Sequence, residues 1–227
     1  MPVKAVLFDL DGTLLDTAPD LVAAANAMLC ELTLPALDEK TIKSFIGGGI
    51  VNLVKRTLAA SLAGESDLQI VERAIPIFEK HYAKGMLNQT RPFPGVEDGL
   101  QAMRAMGLRL ACVTNKAERF ARPLLGATGL LDYFELLVCG DNLPRKKPDP
   151  LPLQHACEHF GVEPRQMLLI GDSPFDAQAA RAAGCRIFCV PYGYSHGLNV
   201  HQLDCDAIVA TLSDAAKLLQ TEPWIET

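Results

Sequence analysis

VKAVLFDLDGT, residues 3–13, opens the chain with a nearly unbroken apolar run that ends in two acids. Such a run is typical of a strand covered on both faces, as in a parallel sheet flanked by helices. Asp9 and Asp11 lie two residues apart on extended backbone, so their side chains point the same way. Like charges held close together are unfavourable unless they share a cation or a proton. The end of this strand is therefore a candidate site.

Five further short runs of the same kind follow, and helical patterns lie between most of them. The six predicted strands are VKAVLFD (3–9), LRLACVT (108–114), ELLVCG (135–140), QMLLIGD (166–172), RIFCVP (186–191) and AIVA (207–210). Strand and helix in repeated alternation predict an α/β fold with a doubly wound, Rossmann-like parallel sheet.

Residues 17–85 interrupt this alternation, because helical patterns follow one another there without an intervening strand. We expect residues 17–85 to form an inserted all-helical cap domain. Residues 1–16 and 86–227 then form the α/β catalytic core. The segment NQTRPFPG, residues 88–95, contains two prolines and a glycine and is the predicted hinge through which the chain returns to the core.

Composition excludes some classes of partner. A formal net charge of −6 argues against binding to a nucleic acid backbone, which requires a concentrated basic surface. No apolar run approaches the length of a membrane span, so no membrane partner is expected. The seven cysteines form no Cys-x-x-Cys pair, which favours a reducing, cytoplasmic location. The oligomeric state, monomer or homodimer, and the role of Trp224 in the C-terminal tail stay open.

Polar clusters also follow three other predicted strands. Thr114-Asn115-Lys116 could cradle an anion, one lysine of the run 145–147 could reach a phosphate, and Asp172 and Asp176 repeat the pattern of paired acids. Each cluster alone is explained equally well by helix capping or a solvated loop. Because the carboxyl ends of parallel strands meet at one edge of a sheet, four such clusters together predict one site. Its carboxylates suit Mg²⁺, and its lysine, amide and hydroxyl suit a phosphoryl group.

These residues, in their order and spacing, resemble the haloacid dehalogenase superfamily. The motifs that carry the resemblance are Asp9-x-Asp11-Gly12-Thr13, Thr114-Asn115, Lys147-Pro148 and Gly171-Asp172-x-x-x-Asp176. The resemblance spans nearly the whole chain and includes a helical cap directly after the first motif. It implies a phosphoric monoester hydrolase that acts through an aspartyl-phosphate.

The resemblance also implies a role for each catalytic residue. Asp9 would be the nucleophile, and Asp11 would protonate the leaving group and then help to deprotonate water. Thr114 and Asn115 would bind phosphoryl oxygens, and Lys147 would link the phosphate to Asp9.

The implied cofactor is Mg²⁺. Its ligands would be the side chains of Asp9 and Asp172 and the backbone carbonyl of Asp11. Asp176 would be a supporting metal residue.

Within the superfamily, the chain is similar to bacterial phosphoglycolate phosphatases in LFDLDGTLLDTAPDL (7–21), IGGGIVNLVKRTL (46–58), KKPDPLPL (146–153) and YGYSHG (192–197). The run from Ser173 to Asp176 departs from that group, which more often has Asn before the last Asp. The expected reaction converts 2-phosphoglycolate, a small phosphorylated metabolite, to glycolate and phosphate.

Five residues are predicted to bind the substrate: Thr13, Gly47, Gly48, Gly49 and Arg56. The three glycines permit close approach of the backbone to a ligand, and the helix that follows them begins with free N–H groups. A flexible connection between helices with solvated cations explains the same residues equally well.

Other activities use the same motifs. A phosphatase for sugar phosphates, including amino-sugar acid phosphates, and a mutase similar to β-phosphoglucomutase both remain alternatives. A dehalogenase is disfavoured, because a departing halide needs no proton and Asp11 would have no task. A regulatory module that binds phosphate without turnover is disfavoured because every catalytic residue type is present.

Overall fold

The computed structural model describes residues 2–64 and 67–221. Within them the chain forms eight strands. They are β1 (Ala5–Phe8), β2 (Leu15–Asp16), β3 (Arg91–Pro92), β4 (Arg109–Val113), β5 (Leu136–Val138), β6 (Met167–Gly171), β7 (Arg186–Cys189) and β8 (Ala207–Ile208).

Nine α-helices connect or follow these strands in the described residues. They are α1 (Ala18–Glu31), α2 (Glu39–Lys43), α3 (Ile50–Ser61), α4 (Leu68–Gly85), α5 (Val96–Ala105), α6 (Glu118–Ala127), α7 (Leu151–Phe160), α8 (Pro174–Ala183) and α9 (Leu212–Leu219).

Six strands form one sheet in the order β5-β4-β1-β6-β7-β8, and every neighbouring pair in it is parallel. Val6 and Phe8 of β1 pack into one apolar cluster with residues of α5, α6 and α9. Ala5 and Leu7 point to the opposite face and pack with residues of α7 and α8. Because both faces of the strand are covered by helices, its residues are apolar whichever face they point to. The predicted doubly wound α/β core is confirmed.

The strands in the structure are shorter than the predicted runs, because the terminal residues of each run leave the sheet and belong to the loops. In addition, β2 and β3 form a separate two-stranded antiparallel ribbon that sequence analysis did not predict. Leu15 lies opposite Pro92, and Asp16 lies opposite Arg91. Strands of two residues are too short to produce a recognisable hydrophobic pattern.

Helices α1 to α4 lie between the two strands of this ribbon and share an apolar cluster. Helix α4 packs on α1 and α3. Phe120 of α6 and Tyr194 join the same cluster from the core side. The ring of Tyr82 in α4 meets that of Phe120 edge-on, with centroids 5.2 Å apart. The four helices therefore rest on the edge of the sheet where β1, β4 and β6 end.

None of the helices in residues 2–64 and 67–221 combines the length and the apolar character that spanning a bilayer requires. Trp224 lies outside the described residues.

Candidate active site

The sheet order brings the predicted polar clusters together. Strand β1 lies between β4 and β6, with Phe8 in register with Cys112 on one side and Ile170 on the other. Asp9, Thr114 and Asp172 each follow closely after one of these three strands. Their side chains therefore meet at one edge of the sheet, as expected for an open parallel sheet.

Three buried carboxylates form the centre of the site. Ligand oxygens of Asp9, Asp172 and Asp176 all lie within 4.8 Å of one another. Burial raises the pKa of Asp9 from 3.8 to about 8, and Asp176 and Asp172 add to the rise while Lys147 opposes it. Burial, with the charge of Asp176, also raises the pKa of Asp172, to about 7. A buried cluster of oxygen ligands with excess negative charge fits a hard divalent cation.

Lys147 is buried between two of these acids. Its Nζ lies 3.0 Å from Asp9 Oδ1 and 2.6 Å from Asp176 Oδ1, and it donates a hydrogen bond to the carbonyl of Val113 at 2.7 Å. Burial alone would lower the pKa of Lys147, but the charges of Asp176 and Asp9 outweigh it and raise the pKa. The lysine therefore stays protonated and offsets part of the acidic charge.

Asp176 is positioned by the start of α8. Ser173 caps this helix with extended backbone, and Pro174 occupies its first position, where a missing N–H costs nothing. The N–H and hydroxyl of Ser173 donate to Asp176 Oδ2 at 3.1 and 2.6 Å. This reciprocal cap directs Oδ1 of Asp176 toward Lys147.

Asp172 is held from both sides. Thr13 Oγ1 donates to Oδ1 at 3.0 Å, and the backbone N–H of Tyr194 donates to Oδ2 at 2.7 Å. Glycines lie against the same carboxylate: a Cβ on Gly12, whose φ is +88°, or on Gly193 would overlap Asp172. Both positions therefore require glycine for close approach of the backbone.

Asp11 lies apart from the three buried acids. Its Oδ1 accepts a hydrogen bond from Thr17 Oγ1 at 2.6 Å, and both of its carboxylate oxygens contact Lys116 Nζ, at 2.9 and 3.1 Å. The ammonium of Lys116 also lies 4.8 Å from the centroid of the Tyr82 ring. Lys116, which the sequence indicated only as part of a possible anion cradle, is thus a buried partner of Asp11.

Asn115 connects the core to the cap helices, which are α1 to α4. Its Nδ2 donates to the carbonyls of Gly47 and Lys147, both at 2.9 Å. Its Oδ1 is buried and accepts no hydrogen bond from the described residues. The hydroxyl of the neighbouring Thr114 accepts from the backbone N–H of Lys116 at 3.2 Å. Asn115 thus contacts the backbone of Lys147, and the phosphoryl contacts of Thr114 and Asn115 stay a prediction.

A cavity of about 30 Å³ lies between the core and the cap helices. Its core side consists of polar residues: Asp9, Asp11, Thr114, Asn115 and Lys116. Its cap side consists of apolar residues and glycines: Leu21, Ile46, Gly47, Gly49, Ile50 and Leu53. This volume holds roughly two water molecules, which is less than a phosphomonoester occupies.

The structure brings only some of the predicted substrate residues to this cavity. Gly47 and Gly49 line it, whereas the carbonyl of Gly48 accepts a hydrogen bond from Lys146 Nζ at 2.8 Å. Thr13 is fully buried against Asp172 and does not line the cavity.

Arg56 does not line the cavity. Its guanidinium lies over the ring of Phe45, donates to the carbonyl of Ser44 at 3.2 Å and lies 3.0 Å from His196 Nδ1. The expected contact between Arg56 and substrate is therefore corrected to a contact that joins the cap helices to the loop containing His196.

Two tyrosines of the run 192–197 support the site from the side of the core. Tyr192 OH donates to the carbonyl of Thr13 at 2.9 Å. Tyr194 OH lies 2.9 Å from Asp16 Oδ1 and accepts from the N–H groups of Thr17 and Ala18 at 2.8 and 2.9 Å. The sequence gives no sign that distinguishes these tyrosines from aromatic residues packed in the core. Their contacts with residues 13 and 16–18 therefore do not follow from it.

The comparisons with known proteins agree with this geometry. A profile of the haloacid dehalogenase-like hydrolase family matches residues 6–190. The phosphoglycolate phosphatase of Nitrosospira multiformis is 60% identical over 220 residues, which cover 97% of each chain. That of Thiobacillus denitrificans is 56% identical over 219 residues, which cover 96% of each chain.

A solved structure is also similar over almost its full length. The crystal structure of a predicted phosphoglycolate phosphatase from Haemophilus somnus 129PT superimposes with a TM-score of 0.91 at 33% identity and covers 96% of this chain and 98% of its own. The motifs, the fold and these relatives agree, so the chain belongs to the haloacid dehalogenase-like hydrolase family and is a phosphoric monoester hydrolase.

Proposed function

We propose that this protein is a Mg²⁺-dependent phosphatase that hydrolyses 2-phosphoglycolate to glycolate and phosphate through an aspartyl-phosphate on Asp9. The observation that carries the proposal is the position of Asp9. Its side chain lies at the cavity, beside Lys147 and two further buried acids. The relatives at 60% and 56% identity, both named phosphoglycolate phosphatases, support the choice of substrate.

In the first step, Asp9 attacks the phosphorus atom. The Leu10 N–H and Lys147 Nζ both contact Oδ1, at 2.7 and 3.0 Å, which leaves Oδ2 as the attacking oxygen. A bond forms between Oδ2 and phosphorus while the bond from phosphorus to the glycolate oxygen breaks. Asp11 donates a proton to that oxygen, so glycolate leaves as an alcohol.

In the second step, water attacks the phosphorus of the aspartyl-phosphate. Asp11, now a carboxylate, accepts a proton from the water while the bond between phosphorus and Asp9 breaks. Inorganic phosphate leaves and Asp9 is regenerated. Thr17 and Lys116 both hold the Asp11 side chain, which fixes it for the two proton transfers.

The carboxylates of Asp9 and Asp172 would hold Mg²⁺, together with the backbone carbonyl of Asp11, and Asp176 would support them. Their mutual proximity and burial fit this ion. When bound, it would neutralise charge on the acids and on the phosphoryl oxygens. Lys147 and the hydroxyl of Thr114 would then supply the remaining positive and polar contacts with the phosphoryl group, because Asn115 Nδ2 already donates to the carbonyls of Gly47 and Lys147.

The test is release of inorganic phosphate from 2-phosphoglycolate in the presence of Mg²⁺, compared with a panel of sugar phosphates. We expect the highest kcat/KM for 2-phosphoglycolate. A higher kcat/KM for a sugar phosphate or an amino-sugar acid phosphate would favour the alternative phosphatase. Conversion of a sugar phosphate to its isomer without free phosphate would favour the mutase.

The variant Asp9→Asn tests the nucleophile. Because an amide cannot form the acyl phosphate, we expect turnover to fall by about four orders of magnitude or more, with the fold retained. Asp132→Asn, at an exposed position, is the matched control and should retain turnover. Near-normal turnover by Asp9→Asn would refute the assigned role.

A further inference from the structure

The cavity has a marked asymmetry of charge. On its cap side, the lining residues are apolar side chains and glycines, and none of them carries a charge. Among the described residues that line the cavity, Lys116 is the only cation. An anionic group placed at the organic end of the substrate would therefore find one ammonium group in the lining, that of Lys116, which also contacts Asp11.

The other cations near the cavity do not line it. Lys147 is bound by Asp9, Asp176 and the carbonyl of Val113. Lys146 donates to the carbonyl of Gly48 from outside the lining. Arg56 is engaged by Ser44 and His196 and does not line the cavity.

Lys116 is held rigidly where it faces the cavity. Its side chain is 4% exposed, its Nζ contacts both carboxylate oxygens of Asp11, and the ring of Tyr82 covers it from the cap side. Burial alone would lower the pKa of Lys116, but the charge of Asp11 reverses this and raises the pKa. The ammonium group is thus held in place at the lining of the cavity.

We infer that Lys116 is a specificity-determining residue: it binds the carboxylate of the substrate, so the site selects small phosphomonoesters that carry a second anionic group next to the phosphate. The inference rests on the proposed function and adds to it the residue that recognises the substrate. Transfer of a carboxylate from water into a largely apolar cavity is strongly unfavourable unless a counter-charge is present. An ester that lacks the carboxylate would leave Lys116 without that partner.

Two substrates that differ only at this group provide the test. Ethyl phosphate is 2-phosphoglycolate with a methyl group in place of the carboxylate. We expect the wild-type protein to prefer 2-phosphoglycolate by about 100-fold in kcat/KM, the range found for buried charge pairs. In Lys116→Met this preference should fall to within a few-fold of unity, and Lys116→Arg should restore part of it.

Lys116→Met also removes the contact with Asp11. Because this loss slows turnover of both substrates equally, the ratio of their kcat/KM values reports only recognition of the carboxylate. Lys43→Met is the matched control. Lys43 is also an ammonium over a tyrosine ring, 5.1 Å from the centroid of Tyr194, but it does not line the cavity. It should keep the wild-type ratio.

Equal losses on both substrates in Lys116→Met would overturn the inference and leave the proposed phosphatase intact. Should Lys116→Met fail to fold, the wild-type protein still decides, because equal kcat/KM for the two esters also overturns the inference. Absence of turnover on 2-phosphoglycolate, with activity on other phosphomonoesters, would contradict the proposed substrate instead.

Discussion

Lys147 shows how strongly the site depends on one buried charge. Its ammonium contacts Asp9, Asp176 and the carbonyl of Val113, and its side chain is 1% exposed. Removing one partner of a buried ion pair leaves the other charges uncompensated, which costs more than the loss of an exposed pair.

We therefore predict that Lys147→Met lowers the free energy of unfolding by about 3–5 kcal/mol in the presence of a chelator, measured by urea denaturation. Lys80→Met is the control, because Lys80 pairs with Glu31 at the surface. It should cost less than about 1 kcal/mol. Equal effects of the two substitutions would show that the buried cluster does not depend on Lys147.

Gly12 has a left-handed backbone conformation and lies against Asp172, a proposed metal ligand. An alanine there would adopt a left-handed conformation and would also overlap Asp172. We predict that Gly12→Ala lowers kcat by about 100-fold or more, since displacement of a catalytic group by about 1 Å is this costly, and that it weakens Mg²⁺ binding.

A substitution at Gly107 separates the effect of the left-handed backbone from the effect of overlap with Asp172. It has a φ of +77°, and a Cβ placed on it would meet nothing within 4 Å. Gly107→Ala should therefore cost about 1 kcal/mol of stability and leave activity unchanged. A similar loss of activity in Gly107→Ala would mean that backbone strain alone explains the effect at Gly12.

At the scale of secondary-structure elements, the connection between the ribbon and α1 depends on Asp20. This buried carboxylate accepts hydrogen bonds from the N–H groups of Gln89 and Thr90 and from the Thr90 hydroxyl, at 2.8 to 3.1 Å. It thereby joins the first cap helix to the segment that returns to the core.

We predict that Asp20→Asn lowers the free energy of unfolding by about 1.5–3 kcal/mol, because hydrogen bonds to a charged acceptor are lost and an amide N–H group would face N–H donors. Asp38→Asn is the control. Asp38 caps α2 at the surface, and asparagine caps a helix equally well. Urea denaturation that gave equal losses for both would contradict the role of Asp20.

The elements differ in how far the sequence alone could predict them. Apolar runs flanked by helical patterns identified all six strands of the sheet, because burial on both faces leaves a continuous signal. The ribbon of β2 and β3 was missed because two residues per strand leave no pattern. Its pairing is decided by tertiary contacts such as those of Asp20 and Tyr194.

The same distinction holds for the site. Asp9, Thr114 and Asp172 were predicted to meet because each follows a core strand, and sheet order alone brings strand ends together. The direction of a long side chain does not follow from spacing. Arg56 packs on Phe45, and Lys116 pairs with Asp11, because of neighbours that only the folded chain supplies.

For the whole molecule, protons would compete with the proposed metal ion for the buried acids. The pKa of Asp9 rises to about 8 and that of Asp172 to about 7, so both bind protons more tightly in the folded chain than in the unfolded chain. Their contribution to stability is complete below pH 3.8 and is lost as the pH rises through 7 and 8.

We therefore predict that, with chelator present, the contribution of these acids to stability falls between pH 5 and pH 8. Without chelator, the affinity for Mg²⁺ should rise over the same range by up to about tenfold per pH unit for each proton that the ion displaces. Calorimetric titration with Mg²⁺ at several pH values measures both proton release and affinity. Asp9→Asn should show a shallower pH dependence. Affinity that is independent of pH would contradict the exchange of protons for metal.

A cytoplasmic location and a monomeric or homodimeric state stay predictions from the sequence. Size-exclusion chromatography with light scattering would determine the second.

The pairing of Leu15 with Pro92 has a consequence for how such enzymes diversify. The long helical insertion leaves and re-enters the core at two points that face each other across a single ribbon. Recombination at those two points could replace the entire insertion as a cassette without altering the sheet. New substrate ranges could then be acquired in one genetic event, while the chemistry of the phosphoryl group is inherited unchanged.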